Sequence, residues 1–295
     1  MKKILLIPNP IKDKGFRVAR RVIHQLKRQG ADVYIDKKFT DLIWEEAITY
    51  NDPPTDVDLC VVMGGDGSIL DSAPFAIEHD IPIVGINLGR MGYLSEIEPD
   101  RLVLLDRLFR KNIKTVKRLL LSVTVRRADG TLHSDYRFAV NDVVICHDKN
   151  FGITDIAMVD STGNSINYRA DGVIVSTPAG SSAYSLSAGG PLVDAAVEAV
   201  CVTPICAHSL FSRSVLFPVD YTITLKNCSA REGMMRLSVD GGDSYTLAPG
   251  EYACVRRSTK TLRMVTLKKQ SALGVLGRKM QLLNPRHERS GEDEK

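Results

Sequence analysis

Short apolar runs alternate with amphipathic stretches through the first 110 residues. Residues 3–7 and 31–35 read as strands, and the run Leu59-Cys60-Val61-Val62-Met63 is apolar on both faces, as suits a buried strand of a parallel sheet. Between the first two, Phe16, Ala19, Val22, Ile23 and Leu26 mark one face of a helix whose other face carries arginines and lysines, and Gly30 ends it. After the central run, Ile69, Leu70, Ala73 and Ile77 recur at helical spacing. Leu42, Ile43 and Trp44 predict a short helix before Asp52-Pro53-Pro54. Residues 81–86 predict another strand, which enters the loop Asn87-Leu88-Gly89-Arg90-Met91-Gly92-Tyr93, and residues 99–109 predict a helix with Pro99 in its first turn. Such alternation predicts an open, doubly wound α/β domain with a mostly parallel sheet over residues 1–115.

Beyond residue 116 the period changes to two. Residues 119–126 alternate, Asp129-Gly130 is a hairpin signal, and residues 131–140 resume as strand. Residues 143–146, 153–159, 166–168, 173–176, 215–217, 221–225, 235–239 and 251–255 continue the series, broken by one expected helix over 192–200. The expectation is a β-rich domain over 116–270. Leu273, Leu276, Met280 and Leu283 then predict a C-terminal helix within 271–295, followed by a polar tail. No proline-rich or glycine-serine linker separates the two domains, which predicts an intimate interface with the site in its crevice.

Composition narrows the class. With 295 residues, 44% hydrophobic and 25% charged, the chain has the make-up of an ordinary soluble globular protein. A net charge of +4 with dispersed lysines and arginines is no nucleic-acid signature. No apolar stretch approaches a membrane span, and the charged start meets Pro8-Asn9-Pro10 too early for a signal-peptide core. The six cysteines show no C-x-x-C pair, so buried free thiols are expected rather than disulfides or zinc. Asn227-Cys228-Ser229 fits a glycosylation sequon but is discounted in a chain read as cytoplasmic.

The chemistry gathers at two places. Gly64-Gly65-Asp66-Gly67 joins the central strand to a helix, and such a corner collects free backbone N–H groups and the positive end of a helix dipole, which suits phosphate. A carboxylate there would repel that phosphate unless it binds a metal or takes a proton from an attacking hydroxyl. The alternative is a tight turn with Asp66 as a helix cap. The second place is the run from Arg169 to Pro191, where hydroxyls and small residues follow an apolar strand and can wrap a ribose or phosphate, or form a long surface loop. Asn141-Asp142, at a junction of strands, either caps a turn or reads ligand hydroxyls. No Walker-type G-x-x-x-x-G-K-[ST], no G-x-G-x-x-G after the first strand and no G-x-S-x-G elbow occurs.

Taken together, Gly64-Gly65-Asp66-Gly67, Asn141-Asp142 and the Arg169–Pro191 run resemble the NAD kinases, which phosphorylate the 2′-hydroxyl of the adenosine ribose of NAD. Residues 85–89 and 204–210, with Arg213, add to the match. The resemblance implies a kinase using ATP, or inorganic polyphosphate, and a divalent metal such as magnesium; no metal-ligand set is read from the chain. It implies Asp66 as base, with Gly64, Gly65 and Gly67 at the phosphate turn. It also implies that Asp66, Gly67, Asn141, Asp142, Arg169, Asp171, Ser182, Ala183, Tyr184, Ser185, Leu186 and Ser187 bind NAD. A homodimer or homotetramer follows, with no nucleic acid or membrane partner. The chain departs from the family pattern at Asp142, where many members have Glu, at Ala179 and Ser182, which replace threonines, and at Gly242, where Gln is frequent. Two other functions fit parts of the pattern: a GGDG-type kinase of another alcohol such as a lipid, and a catalytically silent NAD(P) sensor.

Overall fold

The computed structural model describes residues 1–40, 47–89, 92–148, 153–208, 212–229, 233–242 and 244–267, with 274 and 277. The helix expected around Trp44 lies outside the described residues, and so do Arg90 and Met91. The C-terminal helix and tail also lie outside them, apart from Gly274 and Gly277. In chain order the first elements are β1 (Lys3–Ile7), α1 (Arg17–Arg28), β2 (Asp32–Asp36), β3 (Ile48–Tyr50), β4 (Leu59–Gly64), α2 (Asp66–Glu78), β5 (Ile83–Asn87), a 3-10 helix (Leu102–Phe109) and β6 (Thr115–Arg118). Next come β7 (Leu121–Arg126), β8 (Leu132–Ala139), β9 (Asp142–His147), β10 (Thr154–Val159), β11 (Ser165–Ala170) and β12 (Gly172–Ser176). A one-turn helix, α3 (Tyr184–Ser187), precedes β13 (Ala199–Ile205), β14 (Val215–Pro218), β15 (Ile223–Asn227), β16 (Met235–Val239), β17 (Ser244–Leu247), β18 (Tyr252–Arg257) and β19 (Leu262–Val265).

The chain divides into two compact units, Met1–Val116 with the described residues from Arg263 on, and Lys117–Leu262. The first is built on a seven-stranded sheet in the order β3-β2-β1-β4-β5-β19-β6. Its pairs from β3 to β19 are parallel. Residues 262–265, read from the sequence as part of the β-rich domain, therefore add a strand here. Ala19, Val22, Ile23 and Leu26 of α1 pack with Leu6, Val61 and Met63 on one face. Gly85 faces the other way, against Ile69 of α2, so both faces are covered. That double cover is why β4 is buried along its whole length. The buried Asp13 carboxylate accepts the N–H groups of Val18 (3.1 Å) and Ala19 (2.8 Å), and so caps α1 from outside the helix. The segment 99–109 differs from expectation: it is a 3-10 helix that begins only at Leu102. Its buried residues Leu102, Leu105 and Leu108 repeat every third position, the period of that helix.

The second unit is a sandwich of two antiparallel six-stranded sheets, β11-β10-β15-β18-β7-β8 and β14-β13-β12-β9-β16-β17. Val123, Ile156, Leu225 and Val255 of the one meet Val143, Ile145, Val173 and Val175 of the other in a common core. The helix expected over 192–200 is absent; turns lead instead into β13, where Val202 pairs with Val175 of β12. All six cysteines are free; Cys60 and Cys201 are buried, but Cys206 and Cys228 are exposed, contrary to the expectation for buried thiols throughout. Asn227 of the sequon is buried, its amide donating to the carbonyls of Gly233 (2.7 Å) and Leu247 (2.9 Å), so it offers no acceptor for a glycan.

Candidate functional site

The first unit carries the glycine corner. Gly64 ends β4 at φ +154°, and a Cβ there would come within 2.1 Å of Ser68 Oγ. Gly65 is the N-cap of α2, so Asp66 is the first helical residue and not a cap. Its carboxylate turns away from its own helix and accepts the backbone N–H of Tyr93 at 2.8 Å (Oδ2) and of Leu94 at 3.1 Å (Oδ1). The approach is close: a Cβ on Gly92 would lie 2.0 Å from Asp66 Oδ1. Gly64 O accepts the N–H of Leu88 at 2.7 Å, which ties the two glycine turns together. Each carboxylate oxygen keeps a lone pair for a ligand.

Two residues unassigned from sequence support this corner. Asn9, just past β1, donates from Nδ2 to Ser68 Oγ (2.9 Å) while its Oδ1 accepts the N–H groups of Ile11 (3.1 Å) and Lys12 (3.0 Å). Asn87 donates to the Glu98 carboxylate (3.1 Å) and accepts from Gly89 N–H (3.2 Å), shaping the second turn. An asparagine closing a strand between two prolines is the signal that could have drawn attention to Asn9.

In the second unit Asp142 lies on the outer face of the β12 sheet. Asp142, Val144 and Cys146 of β9 and Ser176, Ile174 and Gly172 of β12 share that face, since the alternate residues fill the sandwich core. Asp142 pairs with Ser176 at one end and Cys146 with Gly172 at the other. Asp171 is therefore removed from Asp142 by about five residues of strand, roughly 17 Å, a span suited to an extended ligand. Ala188, just after α3, packs over Val144, Ile174 and Ile205. Thr177 binds this cover to the Asn141 turn: its N–H donates to Asn141 O (2.8 Å), its hydroxyl to Val140 O (2.7 Å), and Gly180 N–H donates to that hydroxyl (2.9 Å). Ser182 Oγ donates to Ala179 O at 3.0 Å, while buried Ser185 bonds Thr203 Oγ1 at 2.9 Å. Ser182, Ala183 and Leu186 are half-buried; Tyr184 and Ser187 are exposed. Although Tyr184 is exposed overall, partial desolvation of its hydroxyl and then the charges of Cys146, Cys206, Asp171 and Asp142 raise its pKa. Arg169 stands apart, exposed on β11 in the opposite sheet beside Asp155 at 3.4 Å.

The sequence also leaves the anchor of Asn141-Asp142 unnamed. Asp240 opens the β16–β17 hairpin at φ +51°, followed by Gly241 at φ +71°. Its half-buried carboxylate accepts three backbone N–H groups, from Val140 (2.8 Å), Asn141 (2.7 Å) and Asp142 (3.0 Å). Burial, and then the charge of Asp240, push the Asp142 carboxyl up to about 7. Burial also raises Asp240, but its three N–H donors favour the charged form, so the pair holds its charge on Asp240 and its proton on Asp142.

A doubly covered parallel sheet that presents a glycine corner at a helix N-terminus, with a carboxylate fixed beside it, defines a phosphoryl-transfer class of protein. Residues 4–113 match the family model of the ATP-NAD kinase N-terminal domain and residues 140–267 that of the ATP-NAD kinase C-terminal domain. The chain belongs to the NAD kinase family. It is 34% identical over 283 residues to an NAD kinase of Natranaerobius thermophilus, covering 95% of this chain and 98% of that one. It is 32% identical over 286 residues to one of Lachnoclostridium phytofermentans, covering 94% and 98%. Yeast NADH kinase, solved with NADH, shares the fold at TM-score 0.82 and 23% identity over 100% of this chain and 90% of its own. An Archaeoglobus fulgidus NAD kinase solved with ATP does so at TM-score 0.72 and 23% identity, covering 95% of this chain and 98% of its own.

Proposed function

We propose that this protein transfers the terminal phosphoryl group of ATP to the 2′-hydroxyl of the adenosine ribose of NAD, giving NADP and ADP. The observation that carries the reading is the Asp66 carboxylate held at a glycine-lined helix N-terminus by two backbone N–H groups. Family membership across both units, with relatives named NAD kinase, supports it over a lipid kinase or a silent sensor. The ribose oxygen attacks the terminal phosphorus, the bond to the ADP oxygen breaks, and Asp66 takes the hydroxyl proton. Gly64, Gly65 and Gly67 leave room for the phosphates to approach the α2 amides. Asn141, Asp142, Asp171 and residues 182–187 bind the dinucleotide along the outer sheet face; Arg169 is assigned with them from the resemblance.

A divalent ion such as magnesium would supply neutralisation of the phosphate charge. Among the described residues no three His, Cys, Asp or Glu side chains group to hold a metal. Asp66 at the glycine corner is the carboxylate that would help hold such an ion. No described helix is long and apolar enough to cross a membrane. The resemblance to the NAD kinases is what supports a homodimer or homotetramer, which light scattering at assay concentration measures.

Purified protein incubated with NAD, ATP and magnesium is expected to form NADP, and chelation by EDTA to stop it. No NADP with ATP or polyphosphate under any divalent metal overturns the reading. NAD binding without turnover would then indicate the sensor, and absence of NAD binding the kinase of another alcohol.

A further inference from the structure

The ammonium of Lys12 sits where the two glycine turns of the first unit meet. A methyl group on Gly65 would come within 2.7 Å of Lys12 Nζ, and one on Gly89 within 3.3 Å. The aliphatic stem runs beside the same Gly89 position, with Cε at 3.8 Å and Cδ at 3.9 Å. The backbone of Lys12 is fixed there by its N–H bond to Asn9 Oδ1 (3.0 Å), and Asn9 is bonded in turn to Ser68 in the first turn of α2 (2.9 Å). Among the described residues the ammonium has neither an ion-pair nor a hydrogen-bond partner. The carboxylate of the corner, Asp66, is engaged by Tyr93 and Leu94 N–H.

We infer that Lys12 binds the oligophosphate chain of the phosphoryl donor at this corner. The inference rests on the phosphotransferase reading of the site. Lys12 is exposed, but its ammonium stands beside a corner lined by the α2 amides, where an oligophosphate would be met by both. Glycine at 65 leaves the ammonium its place, since a side chain there would shift it, and one at 89 would press on it more lightly. The α2 amides are fixed in direction, whereas a lysine on a flexible stem can follow a phosphoryl group as it moves from donor to acceptor. ATP and inorganic polyphosphate present the same phosphate oxygens to Lys12.

The test compares wild type with Lys12→Met, Lys12→Arg and Lys14→Met, a control on the adjoining turn. Titration with a non-hydrolysable ATP analogue and with inorganic tripolyphosphate reads binding; NADP formation reads turnover. Loss of a charge-assisted contact predicts roughly 10- to 100-fold weaker binding of both ligands in Lys12→Met. Partial recovery is expected in Lys12→Arg, with unchanged NAD affinity, unchanged Tm and a wild-type-like Lys14→Met. A loss confined to the ATP analogue would make the contact adenosine-linked and overturn the oligophosphate assignment. Equal binding by wild type and Lys12→Met, an equal loss in Lys14→Met, or no tripolyphosphate binding by wild type also overturns it. Failure of the wild type to make NADP while Lys12→Met still loses tripolyphosphate binding would reject the kinase reading and leave the phosphate site standing.

Discussion

At the scale of single residues, Asp66 and Asp142 are carboxyl groups with opposite surroundings. Asp66 accepts a backbone N–H at each oxygen, so Asp66→Asn cannot be silent in structure: whichever way the amide turns, its NH₂ faces an N–H of Tyr93 or Leu94. The variant is expected to lose roughly a hundredfold or more in kcat, the lower range for a general base, with a modest fall in Tm and NAD affinity largely kept. Wild-type kcat would remove Asp66 from the chemistry. Asp142 has the opposite setting, with a folded pKa of about 7. Below about pH 4 both folded and unfolded states hold its proton. Between about 4 and 7 the unfolded carboxyl ionises freely and the buried one resists, so stability falls as pH rises through that window and levels off above it. The decline is on the order of a few kcal/mol, and Asp142→Asn should remove the larger part of it, leaving what the raised Asp240 contributes. Tm measured from pH 4.5 to 8 on both proteins checks this; parallel curves would show that Asp142 is not the titrating group.

At the scale of elements, glycine positions explain how loops become sites. Gly180 packs on the Asn141 turn so closely that a Cβ would lie 2.0 Å from Asn141 O and 2.4 Å from its carbonyl carbon. Both obstructions are backbone and cannot rotate aside. Gly180→Ala is expected to push the 177–187 cover off the β9 end, weakening NAD binding at least tenfold and lowering Tm; unchanged NAD affinity by calorimetry would refute it. The same scale shows what was legible in the sequence. The buried runs of β1, β4 and β12 and the stripe of α1 were readable because each carries its own period. The stretch 192–200 was not, because Leu192, Val193, Val197 and Val200 fit a helix face equally well, and pairing of β13 with β12 decides the matter. Local motifs single out Asp66, Asn141 and Asp142 as candidates, whereas they do not single out Asn9, Lys12 or Asp240. Their roles depend on partners 59, 53 and 98–100 positions away in the chain, which no local pattern reveals.

At the scale of the whole molecule, the fold class read from alternating periods is the one observed, an α/β unit with a mostly parallel sheet and an antiparallel β sandwich. The boundary was harder to read, because β19 joins β5 and β6 after the whole sandwich has intervened. Its only described register pair with β5 is Met264 with Ile83, and Thr266 N–H donates to Lys114 O at 2.9 Å. That return has a consequence during biosynthesis. When the ribosome has released the segment up to Val116, β5 has no neighbour on that side and β6 has no strand to join. The nascent α/β sheet carries an open edge until the codons for residues 262–265 have been read. The sandwich, by contrast, has all its strands by Arg257 and can close first. The later-translated part of this chain can thus reach its finished form before the part that was made earlier.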